Sequence, residues 1–289
     1  MAYLLLILTV LFWSGNFVLG RFVHSEIPPI ALAFWRWTIA GLILMPFVAR
    51  SLIEKRRLIL AHWKMLILLA ILSVTNFNTF IYLALHSTTA VNVLLINSIT
   101  PVFIVCLAWL IFRDRVTPLQ AAGVMVSLAG MLWIISRGSP TVLLSITFSK
   151  GDLWTLLAAL SWACYTILLR KRPAGLAPAP FLAVLIVIGI IFLLPVYLWE
   201  IGTGTVARPT PLTMGSVLYV AIFPSILSYL FWNRGVAMVG ANISGIFMHL
   251  MPVFGIIMAG VFLNERLMVY HYPGILLIVS GIFLTTLRR

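Results

Sequence analysis

The fold is decided by residues 90–130, AVNVLLINSITPVFIVCLAWLIFRDRVTPLQAAGVMVSLAG, because their pattern returns 151 positions later, at 241–281. The matched positions are Ala90 with Ala241, Pro101-Val102-Phe103 with Pro252-Val253-Phe254, Asp114-Arg115 with Glu265-Arg266, Gly123 with Gly274 and Gly130 with Gly281. Near the start of each half the offset slips to 149, where Trp13 corresponds to Trp162. A repeat whose period is half the chain indicates a duplicated protein.

The composition places the chain in a lipid bilayer. Of its 289 residues 63% are apolar and 9% are charged, whereas about a quarter of the residues of a soluble domain are charged. The net charge of +13 invites a nucleic-acid partner, but the basic residues form short clusters between apolar segments, where membrane topology accounts for them. We therefore predict no nucleic-acid partner. Cys106 and Cys164 lack metal or disulfide spacing, and no metal or cofactor is predicted.

Ten runs of the sequence are long and apolar enough to span a membrane, which takes about 20 residues. They cover 2–20, 28–49, 64–85, 88–112, 117–136, 152–170, 178–199, 213–234, 239–263 and 269–287. A polar-leaning connection at 137–151 separates a first repeat, 1–136, from a second, 152–289. Because each repeat has an odd number of runs, the second must enter the bilayer from the opposite side. The predicted fold is an all-α membrane protein of ten transmembrane helices, two inverted five-helix repeats around a central cavity.

The distribution of Lys and Arg among the loops predicts the orientation. With a cytoplasmic N-terminus, the inner loops hold thirteen of these residues and the outer loops hold five. The positive-inside rule then places both termini in the cytoplasm. The first apolar run has no basic flank before it and no cleavage signal after it, so we expect a retained helix rather than a signal peptide.

Polar and aromatic side chains lie on matched faces of four predicted spans. The first and sixth spans carry Trp13, Asn16, Trp162 and Tyr165, and the third carries a stripe of Thr75, Asn78, Thr79 and Tyr82. The eighth span carries Tyr229, Trp232 and Asn233. Between the third and eighth spans, Tyr and Asn have exchanged places. Such residues usually face a bundle interior or a wet cavity. We predict a cavity whose rings stack on a solute and whose amides orient it; alternatively, these residues only tie helices together and fill volume.

Two prolines and a histidine are further candidates inside the spans. Pro101 and Pro252 lie within the fourth and ninth spans and would be either gating hinges or static kinks. Each frees the carbonyl four residues earlier, on Asn97 and Met248. His249 is either a hydrogen-bonding core residue or a group that carries a coupling proton.

Arg36 is the one basic residue that the predicted spans place well inside a helix. No carboxylate is assigned to the interior, because the acidic residues all lie at span ends or in loops. Arg36 would therefore bind backbone carbonyls or snorkel between its two neighbouring tryptophans, or it would meet the carboxylate of a substrate.

Glycines seven residues apart occur at the same place in both repeats. Gly123 and Gly130 lie on the fifth span, and Gly274 and Gly281 lie on the tenth. This spacing predicts a close approach of two helices.

The motifs of other protein classes are missing. The sequence has no GxxxxGK[ST] phosphate loop, no HExxH and no GxSxG, so neither ATP-driven pumping by this chain nor enzymatic activity is predicted. A membrane-embedded enzyme or receptor stays the alternative from another class. It would need a reactive constellation or a soluble domain, and neither is visible.

The order of these motifs resembles the EamA repeat of the drug/metabolite transporter superfamily. Both copies show small residues, a proline followed by Val-Phe inside a span, an acidic residue at the span end and a glycine in the next helix. The opening helices, with Trp13 and Asn16 and with Trp162 and Tyr165, resemble the same repeat. The chain is most similar to aromatic amino acid exporters of the YddG type.

The resemblance implies ten helices around a central cavity, alternating access, and efflux of amino acids, metabolites or cationic drugs across a bacterial inner membrane. We predict a secondary transporter of small amphipathic solutes such as aromatic amino acids, with the lipid bilayer as its other partner. Protons as a coupling ion and an uncoupled route both stay open. The alternative substrates, phosphorylated metabolites or nucleotide sugars, need several cavity Lys or Arg residues, whereas Arg36 is the only one predicted.

Overall fold

A computed structural model describes residues 1–23, 25–88, 90–139, 141–142, 149–204, 207–263 and 268–287. Within these ranges the chain is helical, with no β-strand. The α-helices are α1 Ala2–Phe22, α2 Pro29–Glu54, α3 Arg56–Ala61, α4 Trp63–Ala70, α5 Asn78–Ser87, α6 Ala90–Asn97, α7 Thr100–Phe112, α8 Pro118–Ile135, α9 Lys150–Leu168, α10 Pro178–Gly202, α11 Pro211–Val220, α12 Ser228–Val239, α13 Ala241–Ile246, α14 Met251–Leu263 and α15 His271–Thr286.

Eight helical stretches in the described part of the chain are long and apolar enough to cross a membrane. They are Pro29–Glu54, Trp63–Ser87, Asn92–Phe112, Pro118–Ile135, Lys150–Lys171, Pro178–Gly202, Pro211–Val239 and Ala241–Met258. The first and last predicted runs coincide with shorter apolar stretches, Ala2–Asn16 and His271–Thr286. The all-α membrane class agrees with the prediction, whereas the count of ten stays a prediction.

Two stretches of π-helix interrupt the third and eighth predicted spans. One covers Ile71–Phe77, between α4 and α5, and the other covers Ala221–Leu227, between α11 and α12. They stand 150 residues apart, so the duplication extends to an uncommon backbone feature. A π-helical turn inserts an extra residue into the helix and rotates everything that follows it.

The fourth and ninth predicted spans are broken at their prolines. Pro101 lies in the first turn of α7, and Pro252 is the second residue of α14. A proline fits the first turn because its missing N–H would have no partner there. The freed carbonyl of Asn97 accepts the Thr100 hydroxyl at 2.6 Å, and the Met248 carbonyl accepts the backbone N–H of Met251. Each proline therefore opens a new helical segment instead of bending a continuous helix.

The predicted close approach of the two glycine-bearing helices is confirmed. A Cβ atom on Gly123 would lie 2.5 Å from the carbonyl oxygen of Gly281, and one on Gly130 would lie 2.7 Å from that of Gly274. The first glycine of α8 meets the second glycine of α15, and the second glycine of α8 meets the first of α15. The two helices therefore run antiparallel.

The described acidic residues lie at helix ends or in loops, as predicted, but two of them are buried. Both carboxylate oxygens of Glu200 accept backbone N–H groups from the first turn of α2, those of Ile30 and Ala31. Asp152 accepts the hydroxyl of Thr88 at 2.8 Å near the start of α9. A carboxylate is favourable at a helix N-terminus. Glu265 and Arg266, which correspond to Asp114 and Arg115 of the first repeat, lie outside the described residues.

The two halves interlock around the centre. Helix α1 of the first half packs on α12 of the second, and α9 of the second half packs in the same way on α5 of the first. Helices α2 and α10 pack on each other. The matched faces that carry the candidate residues therefore meet in the middle of the molecule.

Candidate functional site

Five of the predicted rings form one buried group, the aromatic cluster. Its members are Trp13, Trp162, Tyr165, Tyr229 and Trp232. Trp162 lies in the middle: its ring centroid is 4.9 Å from that of Trp13, 5.4 Å from that of Tyr229 and 5.8 Å from that of Trp232. Edge-to-face and tilted contacts at these distances are favourable. The rings pack on one another and close the centre in this structure.

Arg36 lies beside the aromatic cluster in a polar network, and its side chain is 1% exposed. Nη1 of Arg36 donates to the hydroxyl of Tyr82 at 2.6 Å and to Oδ1 of Asn78 at 2.8 Å, and lies 3.4 Å from Oδ1 of Asn16. Nε donates to the hydroxyl of Ser225 at 2.9 Å. All of these acceptors are neutral side chains. The guanidinium group therefore does not snorkel, and among the described residues no carboxylate pairs with it.

The exchange of Tyr and Asn between the halves produces two similar hydrogen bonds. In the first half the hydroxyl of Tyr82, on α5, donates to Oδ1 of Asn16, on α1, at 3.0 Å. In the second half the hydroxyl of Tyr165, on α9, donates to Oδ1 of Asn233, on α12, at 2.8 Å. Each pair joins the first helix of a repeat to the third, and the donor and acceptor are interchanged.

Residues that correspond between the repeats touch each other at three places. The pairs are Trp13 with Trp162, whose centroids are 4.9 Å apart, Asn78 with Tyr229, whose amide and hydroxyl are 3.3 Å apart, and Ser98 with His249, whose carbonyl and ring Nε2 are 3.0 Å apart. Two copies of one unit related by a two-fold axis bring equivalent residues into contact only at that axis. Three such contacts are what a two-fold axis between the repeats would produce.

A cavity of about 680 Å³, here called the vestibule, opens between the ends of α7 and α9 and the junction of α12 with α13. Its polar lining includes Arg115, Thr166, Arg170, Arg172, Asn233 and Asn242. Of the predicted site residues, Asn233 contributes to this lining. The vestibule reaches the second Tyr–Asn pair and lies on the side that the charge count predicts to be cytoplasmic.

Two amide atoms of the vestibule lining are buried without a hydrogen-bond partner among the described residues. They are Nδ2 of Asn233 and Oδ1 of Asn242. Leaving a buried polar atom unpaired costs about 1–3 kcal/mol, so such atoms are usually paired with something. The arrangement can accept a solute that offers an acceptor to one amide and a donor to the other.

His249 lies apart from the other candidates, and the structure does not bring it to the vestibule. Its Nε2 faces the carbonyl of Ser98, so this nitrogen carries the proton, and its Nδ1 is 2.7 Å from the hydroxyl of Ser127 on α8. The His249 ring therefore links the fourth and ninth predicted spans to α8, the helix that carries Gly123 and Gly130.

Sequence reasoning missed Thr166, Asn242 and Ser225. Thr166 follows Trp162 by four residues on the same helical face, and its hydroxyl accepts the indole N–H of Trp232 at 3.3 Å, so helical spacing was a usable signal. Ser225 lies inside the second π-helix, where ordinary helical spacing fails. Thr75, predicted to share the stripe of Asn78 and Tyr82, instead faces the Gly189 carbonyl at 3.4 Å.

The sequence profile of the EamA-like transporter family matches the chain twice, at residues 1–136 and 149–287. An uncharacterized transporter of Archaeoglobus fulgidus is 30% identical over 289 residues, which cover 99% of this chain and 98% of that protein. Proteins called probable amino-acid metabolite efflux pump, from Salmonella typhimurium and Escherichia coli, are 26% and 24% identical, over 97% of this chain and 93% of each of them. A solved crystal structure, 19% identical, superposes with a TM-score of 0.80 over 99% of this chain and 96% of its own, which shows a shared fold.

Proposed function

Because this chain belongs to the EamA-like transporter family, we propose that it is a secondary transporter that exports small amphipathic solutes, such as aromatic amino acids, by alternating access. The chain is an integral membrane protein of a transporter family. The observation that carries the proposal is the set of three contacts between corresponding residues.

In the proposed architecture ten helices form two inverted five-helix repeats, with both termini in the cytoplasm of a bacterium. The antiparallel contact of α8 with α15 and the three contacts between corresponding residues support a two-fold axis in the membrane plane. A site on such an axis has the same surroundings seen from either side. It can therefore be exposed first to one face of the membrane and then to the other. The interruptions of the helices at Pro101 and Pro252 would be the hinges.

The substrate site would lie where the aromatic cluster and the polar network meet. The rings would separate and stack on the apolar part of a solute. Asn16, Asn78, Tyr82 and Asn233 would bind its polar ends, and Arg36 would bind its carboxylate. Two relatives are named as amino-acid metabolite efflux pumps, which supports an amino acid as the solute. His249, bonded through both ring nitrogens, would carry a proton if transport is coupled to one.

Counterflow of radiolabelled L-phenylalanine into proteoliposomes that contain the pure protein tests this proposal. The double variant Trp162→Ala with Tyr82→Ala should reduce counterflow at least tenfold. The matched control is Trp199→Ala with Tyr272→Ala, two residues that are 67% and 60% exposed on the outside of the helices. The control should transport at the wild-type rate. Equal rates in both double variants would remove the site assignment, and conversion of the solute without movement would indicate an enzyme.

A second candidate function is transport of phosphorylated solutes. The observation that favours it is the presence of three arginines, Arg115, Arg170 and Arg172, in the vestibule lining, since arginine pairs bidentately with phosphate. Competition separates the two candidates: a sugar phosphate that inhibits counterflow better than L-phenylalanine does would favour this second function.

A further inference from the structure

We infer that the vestibule is a loading site for the charged head of a free α-amino acid, in which the amide of Asn233 binds the carboxylate and the amide of Asn242 binds the ammonium group. This inference rests on the proposed function and names what recognises the solute before it reaches the aromatic cluster. It assigns a role in specificity to Asn242, a residue outside the site predicted from the sequence.

The carboxylate end follows from the geometry of Asn233, whose side chain is 1% exposed. Its Oδ1 is occupied, because it accepts the Tyr165 hydroxyl at 2.8 Å. Its Nδ2 carries two N–H donors, is buried within this residue of the vestibule lining and has no partner among the described residues. A buried amide N–H with no acceptor binds an anionic oxygen better than a neutral one, because a charge-assisted hydrogen bond is stronger.

The ammonium end follows from Asn242, on α13. Asn242 also lines the vestibule, and its Oδ1 is buried and has no donor among the described residues. An ammonium group offers three donors and no acceptor, so it fits this oxygen and is rejected by the N–H groups of Asn233. Asp114, an acidic residue of the lining, is already paired with Arg170 at 3.0 Å, whereas the amide oxygen of Asn242 has no partner among the described residues.

The charge of the vestibule favours entry with the carboxylate first. Three guanidinium groups and a single carboxylate line it. Arg170 is held in place by Asp114 and by the ring of Phe112, whose centroid lies 4.2 Å from the guanidinium carbon. Within the described part of the chain, Arg115 and Arg172 form no ion pair. Unpaired arginines at the mouth of a cleft raise the local concentration of anions, while the buried amides select among them.

The test measures equilibrium binding of three probes to the full-length protein in lipid nanodiscs. L-Phenylalanine carries both charged groups, 2-phenylethylamine lacks the carboxylate, and 3-phenylpropionate lacks the ammonium group. Wild-type protein should bind L-phenylalanine about 10- to 100-fold more tightly than either analogue, because each missing charged group leaves an amide unpaired.

The Asn233→Asp variant is the sharpest probe because it keeps the shape of the side chain and an oxygen for Tyr165 but replaces the N–H donors with a carboxylate. It should bind 2-phenylethylamine more tightly than L-phenylalanine, which reverses the wild-type order. Asn242→Leu should bind L-phenylalanine no better than 3-phenylpropionate, while its affinity for 3-phenylpropionate stays at the wild-type value. Thermal unfolding of both variants checks that they are folded.

The outcomes separate this inference from the proposed function. A wild-type protein that neither binds nor exchanges L-phenylalanine contradicts the proposed function itself. A wild-type protein that exchanges it, together with an Asn233→Asp variant that keeps the wild-type order of the probes, overturns the loading site alone. An equal loss of all three probes in both variants would also overturn it, because the amides would then act only through the packing of the helices.

Discussion

The two Tyr–Asn pairs have the same geometry but different surroundings. The pair of Tyr82 and Asn16 is locked by Arg36, which donates to the Tyr82 hydroxyl and lies against the amide oxygen of Asn16. Among the described residues no cation donates a hydrogen bond to the pair of Tyr165 and Asn233, and Nδ2 of Asn233 has no partner. Duplication therefore supplied the shared scaffold, and a single charged residue made one side different from the other.

In the proposed inverted repeat, this difference would make closure at one pair more stable than closure at the other. Two identical halves would close either side equally well. The guanidinium group of Arg36 joins α2 to α1, α5 and the second π-helix, so it would stabilise closure at the Tyr82 pair.

Removal of Arg36 should have the largest effect. In Arg36→Met the amide oxygen of Asn78 loses its donor, and leaving a buried atom unpaired costs about 1–3 kcal/mol. The Tyr82 hydroxyl also loses a hydrogen bond to a charged group, which contributes about 1.5–3 kcal/mol. We expect the free energy of unfolding, measured by denaturant titration in detergent, to fall by about 3 kcal/mol. L-Phenylalanine counterflow should fall by 10-fold or more.

The matched variant for this position is Arg36→Lys. It keeps the positive charge but not the planar fork that reaches Tyr82 and Ser225 together, so its stability and transport should lie between those of wild type and Arg36→Met. A methionine variant with wild-type stability and transport would mean that Arg36 does not lock the first pair.

Removal of one hydroxyl from each pair compares the two sides directly. Tyr82→Phe loses a bond to a charged group and a bond to Asn16, whereas Tyr165→Phe loses one neutral bond. Bonds to charged groups contribute about 1.5–3 kcal/mol and neutral ones about 0.5–1.5 kcal/mol. Tyr82→Phe should therefore be the more destabilising by about 1–2 kcal/mol in the same titration. Equal losses would show that the two pairs are equivalent despite Arg36.

Trp13 and Trp162, which correspond between the repeats, also differ in the hydrogen bonding of their indole N–H groups, and we expect a smaller effect on stability. Nε1 of Trp13 donates to the carbonyl of Pro224 at 3.1 Å, whereas Nε1 of Trp162 has no partner among the described residues. Ser73, the residue that corresponds to Pro224, has its carbonyl occupied by the Tyr229 hydroxyl at 2.7 Å.

Substitution by phenylalanine removes a similar ring volume at both positions, so the difference isolates the N–H group. Trp13→Phe should be more destabilising than Trp162→Phe by about 1 kcal/mol. The same unfolding titration measures it. If Trp162→Phe proved the more harmful, its N–H would have to bind a group in the native protein.

Much of this arrangement could be predicted from the sequence, because the same residue pattern occurs in both repeats. The correspondence of Trp13 with Trp162, and the exchange of Tyr and Asn, are visible as residue types at fixed offsets. The close approach of the glycine-bearing helices followed from spacing alone, since small residues at one helical face permit close packing. These features depend on local periodicity and on symmetry.

What the sequence did not reveal depends on backbone irregularity and on contacts between distant helices. The π-helix at Ile71–Phe77 rotates the third span, so Thr75 leaves the face that it would share with Asn78 in a regular helix. The neutral partners of Arg36 come from three other segments of the chain. No pattern within one helix identifies such partners.

The ion pair at the vestibule mouth should show the smallest effect on stability and a measurable effect on entry. Asp114 and Arg170 are about one third and one half exposed, and exposed pairs contribute about 0.2–1 kcal/mol. Asp114→Asn should therefore unfold within about 1 kcal/mol of wild type. At low ionic strength Asp114→Asn should lower KM for 3-phenylpropionate, because it removes the negative charge among three arginines. This decrease in KM should vanish at about 1 M salt, where the Debye length is about 3 Å. The matched control is Glu54→Gln, which breaks a more exposed pair with Arg50 away from the vestibule. If Glu54→Gln lowers KM equally, the net charge of the protein surface, and not the charge of the vestibule, attracts the solute.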